Sequence, residues 1–225
     1  MDKFAAFDLE IAKVVEEGAD WGPKDLLGIT CLCIVLSDND EPIVYSGVPQ
    51  LTQGECVEVV RKLESLVEDG YMVTGFNSLG FDFLVLRAES GLFYECRGLA
   101  LDHLDLFFQL FAQLGYAPGL DKLARGLGLG AKTEGVNGAK APQMWLEGRY
   151  QEVIDYCVQD VRLTVLLAKE MQRLGYVKWI SSSGKSTGIR IPGLLTVAEA
   201  MKLPEPDVSW MTNAWERSKF TGWLE

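Results

Sequence analysis

Short apolar runs separated by turn residues dominate the first hundred residues. Runs at 3–9, 27–36, 43–46 and 71–75 predict four strands, and a short fifth strand is expected near 97–101. The first three runs are close enough in sequence to form an antiparallel meander. The pattern therefore predicts a five-stranded sheet.

Apolar positions at helical spacing account for much of the remaining chain. They predict helices over 52–69, 81–90, 104–114, 119–127 and 148–174. The first of these opens with Thr52 and Glu55, the residue types of a capping box. This order of elements predicts an α/β fold, a mixed five-stranded sheet with helices on both faces.

We expect one domain over residues 1–180, with residues 181–225 as a C-terminal extension packed on it. Within the extension, the composition of residues 181–193 predicts a loop or a loose hairpin. Three of the six tryptophans lie in the tail, at Trp210, Trp215 and Trp223. Their large aromatic side chains favour packing on the domain over stacking on bases.

Charge and cysteine content narrow the class of protein. The net charge of −11 argues against a general nucleic-acid coat protein, because phosphate binding depends on Lys and Arg. No apolar run has membrane-spanning length, and the N-terminus lacks a signal-peptide pattern. The five cysteines include Cys31 and Cys33 in a predicted strand, but no second pair has zinc-site spacing. We therefore expect reduced core thiols in a cytoplasmic protein without a membrane partner.

Three separate segments carry acids beside apolar residues. Asp8 and Glu10 lie two apart on the first strand, so they share a face at its C-terminal end. Asp82 falls in the first turn of the 81–90 helix, and Asp160 lies in the long helix. Each segment also has a plainer interpretation: an acidic loop after a strand, a helix-start acid that favours the macrodipole, and a core aspartate paired with an arginine.

Helical projection singles out Asp160. At 100° per residue it falls beside Tyr156 on a face otherwise made of apolar residues, whereas Asp155 falls in a polar arc. An unpaired carboxylate is costly to bury. Four acids meeting at one site would therefore need hard divalent cations such as Mg²⁺ or Mn²⁺. The set predicts metal-assisted phosphoryl chemistry.

The acidic segments follow one another as FDLE, then N-x-x-G-F-D ending at Asp82, then Y-x-x-x-D ending at Asp160. In this order they resemble the three motifs of the DEDD superfamily of 3′–5′ exonucleases. The DEDDh branch has a histidine five residues before the last aspartate, where this chain has Asp155. Tyr156 instead matches the DEDDy branch.

The resemblance covers residues 3–175 and implies a ribonuclease H-like fold. It also implies a hydrolase that uses two metal ions about 4 Å apart and releases nucleoside 5′-monophosphates from nucleic acid 3′ ends. The catalytic residues carried over are Asp8, Glu10, Asp82, Tyr156 and Asp160. Asp8 would bridge both ions, and Glu10 with Asp160 would hold the ion that carries the attacking water. Asp82 would support the second ion, and Tyr156 would orient the water.

Substrate contacts are expected from two sets of residues. Asn77 and Phe81 are candidates for contacting the terminal nucleotide, and Leu9 either caps the terminal base or points to the other strand face. A rim that binds the backbone is expected from Lys122, Arg125, Lys132 and Lys140.

Two other functions stay open: a catalytically inactive module that binds nucleic acid or protein, and an endonuclease or junction resolvase on the same fold. DNA is favoured over RNA, while strand preference, processivity and protein partners are undetermined. Ser183–Thr187 lacks the first glycine of a Walker A loop. A Ser-His-Asp triad would have to use His103, the only histidine, but no G-x-S-x-G elbow is present. We therefore expect His103 to be a capping or surface residue at the start of the 104–114 helix.

Overall fold

The computed structural model describes residues 3–15, 26–130, 138–181 and 183–225. Its strands are β1 Lys3–Ile11, β2 Ile29–Leu36, β3 Asn39–Ser46, β4 Tyr71–Gly75, β5 Leu104–Asp105, β6 Tyr176–Ile180 and β7 Ser186–Arg190. Its helices are α1 Gln53–Glu68, α2 Asp82–Ser90, α3 Phe93–Asp102, α4 Leu106–Leu114, α5 Leu120–Leu127, α6 Ala141–Leu146, α7 Tyr150–Leu174, α8 Val197–Ala200 and α9 Ser218–Thr221. Within these ranges, no helix is both long and apolar enough to cross a membrane.

The first five strands form one mixed sheet in the order β3-β2-β1-β4-β5. β1 pairs antiparallel with β2 and parallel with β4, while β3 and β5 lie at the edges. The predicted mixed five-stranded sheet and its antiparallel meander are confirmed. Strands β6 and β7 form a separate antiparallel hairpin. β7 lies within residues 181–193, the segment expected to be a loop or a loose hairpin, whereas β6 precedes them.

Alternation along β1 divides the core between the two faces of the sheet. Ala5, Phe7 and Leu9 pack in one cluster with residues of α1 and α2. Phe4 and Ala6 face the other way, into clusters that include residues of α7. Helices therefore cover both faces, as a central strand that is buried on both sides requires.

The prediction of a strand near 97–101 is wrong. This segment belongs to α3, and the fifth strand is the two-residue β5 that follows it. Cys96, Leu99 and Ala100 are the buried residues of α3, and their spacing of three and four puts them on one face of a helix. The sequence prediction also missed α6.

The position expected for His103 is wrong as well. Its side chain is buried, with Nε2 2.8 Å from the Ser78 hydroxyl and Nδ1 2.7 Å from the Ala100 carbonyl. Asp105, not His103, caps α4 by accepting the Phe108 N–H. Both ring nitrogens of His103 therefore have buried partners, and the side chain is a core residue whose polar atoms are satisfied.

Candidate active site

A cavity of about 420 Å³ opens at the C-terminal end of β1. Its walls come from β1, the loop between β4 and α2, the residues around the start of α6, and α7. The lining includes every residue that the sequence predicted as catalytic: Asp8, Glu10, Asp82, Tyr156 and Asp160. It also includes the three predicted substrate contacts: Leu9, Asn77 and Phe81. The fold brings these residues together, while their roles stay predictions.

Strand register places the first two acids on the face of the sheet that α7 covers. Asp8 lies opposite Cys33 and Glu10 lies opposite Cys31 across the β1–β2 ladder. Opposite residues of an antiparallel pair project from the same face. Glu10 is buried and Asp8 is half-buried, so both carboxylates are largely shielded from solvent where they line the cavity.

Asp82 reaches the same cavity because β4 is shorter than β1. The β1–β4 ladder ends where Ala6 pairs with Thr74, so the N–H of Leu9 lies beyond it. Asp82 Oδ1 accepts this N–H at 3.1 Å and thereby ties the first turn of α2 to β1. Burial raises the pKa of Asp82 to about 7, and the Leu9 N–H opposes this rise. A cation bound beside the carboxylate would favour its charged form.

The first turns of α7 present Tyr156 and Asp160 four residues apart on one buried face, as the helical projection predicted. Asp155 is exposed instead and accepts a hydrogen bond from Gln151 at 2.8 Å. Burial raises the pKa of the Tyr156 phenol well above its ordinary value, and the charges of Asp160, Glu10 and Asp8 raise it further. The phenol therefore stays protonated and can donate a hydrogen bond into the cavity.

The loop between β4 and α2 is held by Asp105, whose role the sequence did not reveal. Asp105 Oδ1 accepts the N–H of Asn77 at 2.9 Å, and its Oδ2 accepts the N–H of Leu79 at 2.8 Å. Asn77 itself adopts a φ of 67°, which asparagine tolerates better than most residues. An acid directly before a strongly apolar helix is an N-cap signal, and that signal could have identified Asp105.

Three cysteines lie directly beside the acids. The Sγ atoms of Cys31, Cys33 and Cys157 all lie within 4.8 Å of one another. Cys157 also donates its S–H to the carbonyl of Asp8 at 3.3 Å, which joins α7 to β1 at the cavity. All five cysteines are buried and free. The spacing of the cysteines in the sequence could not predict this cluster, because Cys157 reaches the other two only through the packing of α7 on the sheet.

The predicted basic rim is only partly described. Lys122 is exposed, and Arg125 is engaged by Asp121 at 2.8 Å. Lys140 precedes α6, next to residues 138–139 of the cavity wall, and Lys132 lies outside the described residues. Within the described part of the wall no lysine or arginine is present. The rim stays a prediction.

Comparison with known proteins identifies the superfamily to which this fold belongs. A family model described as the RNase_H superfamily matches residues 22–172, more than half of the chain. The chain belongs to the RNase H superfamily. Among solved structures, it is similar to a family B DNA polymerase from the hyperthermophilic archaeon Pyrobaculum calidifontis, with 21% sequence identity and a TM-score of 0.57. That match covers 76% of this chain and 24% of the polymerase chain, and at this identity it shows the fold alone. No curated protein matches the sequence.

The donor set of this RNase H superfamily site fits hard divalent cations. Nucleases of the superfamily generally use such ions. Four carboxylates and the Asn77 side chain line the cavity and supply oxygen donors. Oxygen donors of this kind suit Mg²⁺ and Mn²⁺.

Proposed function

We propose that the chain is a two-metal-ion 3′–5′ exonuclease of the DEDDy type. It releases nucleoside 5′-monophosphates from 3′ ends, and DNA is proposed before RNA because the solved structure it resembles is a DNA polymerase. One observation carries the proposal: four acids and a tyrosine from three distant segments line a single cavity. Superfamily membership supports a nuclease.

Each acid has a separate task in this proposal. Asp8 would bind both ions, Glu10 and Asp160 would hold the ion nearer the attacking water, and Asp82 would support the other ion. When bound, the ions acidify that water and stabilise the charge that develops on the phosphate. Tyr156 orients the water through its hydroxyl, which its raised pKa keeps protonated.

The substrate contacts follow from the walls of the cavity. Asn77 and Phe81 border it from the loop between β4 and α2 and contact the terminal nucleotide. Leu9 packs in the core on the far face of the sheet, so its backbone at the cavity matters more than its side chain. Its N–H keeps Asp82 in place for the second ion.

Oligonucleotides labelled at the 3′ end or at the 5′ end test the proposal directly. In Mg²⁺ or Mn²⁺ we expect a 3′ label to appear at once as mononucleotide and a 5′ label to shorten as a ladder. A circular single strand should stay intact, because an exonuclease has no end at which to start. Cleavage of the circle would favour an endonuclease or resolvase, and no release with any divalent metal would favour an inactive binding module.

A further inference from the structure

The hairpin formed by β6 and β7 concentrates positive charge in an acidic chain. Residues 171–198 contain no Asp or Glu, so all 32 acidic residues lie elsewhere. Arg173 in this segment pairs with Glu170 at 2.6 Å. By contrast, Lys178, Lys185 and Arg190 take part in none of the ion pairs of the described residues. Three cations are therefore available to an outside partner.

The hairpin has one buried side and one open side. Val177 and Trp179 are buried in a cluster with residues of α5. Gly126 of α5 lies so close to the Lys178 carbonyl that no side chain would fit between them. This packing fixes the hairpin on the body, so the residues that alternate with the buried ones point outward.

The open side combines charge with aromatic and apolar surface. We call it the basic hairpin face, and it consists of Tyr176, Lys178, Ile180, Lys185 and Arg190. Tyr176 lies opposite Arg190 in the ladder, and its phenol occupies the space that a side chain at Gly188 would fill. Tyr176 is 38% exposed and Ile180 is 54% exposed. Cations interleaved with an exposed ring are typical of surfaces that follow single-stranded nucleic acids.

We propose that the basic hairpin face binds the backbone of single-stranded DNA upstream of the 3′ end held in the cavity. This role rests on the proposed exonuclease function, and charge complementarity to a polyanion carries it. α7 connects the two places: the helix from Asp160 to Leu174 is about 21 Å long. At the 3.4 Å spacing of a stacked strand, that length corresponds to about six nucleotides. Shorter substrates should not reach the hairpin.

Binding in EDTA tests the surface independently of catalysis. The probe is a fluorescent single-stranded DNA of about 20 nucleotides, and the variant is K178Q/K185Q/R190Q. Each phosphate contact contributes about 0.7 to the slope of log K against log salt, so we expect the slope to fall by about 2. The matched control, R61Q/K62Q/K202Q, removes the same charge from α1 and from the second residue after α8. Both elements belong to the core on the opposite face of the sheet, so the slope should stay at the wild-type value.

A kinetic comparison ties the surface to the substrate. We expect the ratio of kcat/KM on the 20-nucleotide DNA to kcat/KM on a dinucleotide to fall at least fivefold in the hairpin variant, while the control keeps the wild-type ratio. Thermal unfolding checks that both variants are folded.

Three results would overturn the assignment. One is wild-type binding by the hairpin variant, and another is an equal loss in the control. The third is tighter binding of RNA or of phosphatidylserine vesicles through the same three side chains. If the wild type hydrolyses neither substrate, the proposed function fails, and the salt slopes still decide the binding surface by themselves.

Discussion

Asp160 is the residue of the candidate site that departs most clearly from the pattern around it. Its position on α7 is otherwise apolar, and the structure buries it beside Tyr156 in the wall of the cavity. The neighbouring acid Asp155 fits its polar surroundings and lies in water. A residue that conflicts with its local environment is expected at a functional site. Asp160 should therefore matter more for turnover than for stability.

Substitutions on α7 test this difference. Asp160→Asn removes a proposed metal ligand and should lower kcat about 10³-fold or more, since metal ions contribute several kcal/mol to transition-state stabilisation. Tyr156→Phe removes the hydroxyl that is proposed to orient the water but leaves the proposed metal ligands in place, so it should lower kcat about 10- to 100-fold. Steady-state release of mononucleotides measures both, with the exposed Asp155→Asn as the matched control. Wild-type kcat in the Asp160 variant would contradict the assignment.

His103 should make stability depend on pH. Burial lowers the pKa of His103 from 6.5 to about 4. Between these two pH values the imidazole is protonated in the unfolded chain but not in the folded chain. The contribution of His103 to stability is therefore lost as the pH falls through this window, by about 2 kcal/mol between pH 7 and pH 5.

Denaturant unfolding of the wild type and His103→Gln measures this loss. The difference between their free energies of unfolding should shrink by about 2 kcal/mol from pH 7 to pH 5. Burial raises the pKa values of Asp82 and Asp105 to about 7 and about 6, so these groups add stability as the pH falls. Their effect is common to both proteins and cancels in the difference. A difference that stays constant with pH would show that His103 does not titrate in this way.

At the scale of elements, the sequence predicted best those that carry their own signals. The capping box of Thr52 and Glu55 is present at the start of α1, and α7 begins and ends close to its predicted limits. β3 starts four residues before its predicted start because it is an exposed edge strand whose first residues are polar. α6 has only six residues, too few for helical periodicity to be recognised.

The loop between β4 and α2 is held by a residue of β5, and the sequence analysis did not predict this contact. Asp105, at the end of β5, accepts N–H groups from Asn77, Leu79 and Phe108. Asp105→Ala should reduce the free energy of unfolding by about 3 kcal/mol, because three hydrogen bonds of about 1 kcal/mol each are lost. It should also lower kcat/KM, since Asn77 and Phe81 lose their support. Urea unfolding and the nuclease assay measure both effects.

Asp105→Asn is the control for this prediction. Its amide keeps one acceptor oxygen, so it should lose less stability than the alanine variant. Equal stability of Asp105→Ala and the wild type would mean that the loop is held by other contacts.

At the scale of the whole molecule, the C-terminal tail reaches the same loop. The ring of Phe220 lies where a side chain at Gly80 would collide with it, and Trp223 Nε1 donates to the Leu79 carbonyl at 2.9 Å. Trp223 thus packs against the core, whereas Trp210 and Trp215 are 66% and 51% exposed. The sequence showed that the tail was aromatic but not which surface it would cover, because an apolar residue does not specify its partner.

Phe220→Ala tests the contribution of the tail. Phe220 is buried against Phe107, Phe108 and Phe111, so its truncation should cost about 3–5 kcal/mol of stability. Trp210→Ala is the control and should cost about 1 kcal/mol, since it has one close ring neighbour and is mostly exposed. Thermal and urea unfolding compare the two, and equal losses would mean that the tail does not add to the core through Phe220.

The central claim is that acids from three segments hold a pair of divalent ions. Crystals soaked in Mn²⁺ with a nucleoside 5′-monophosphate, examined by anomalous scattering, test it most directly. We predict two Mn²⁺ peaks about 4 Å apart, with Asp8 between them and Glu10, Asp82 and Asp160 around them. A cavity without Mn²⁺ in crystals that bind the ion elsewhere would contradict the account.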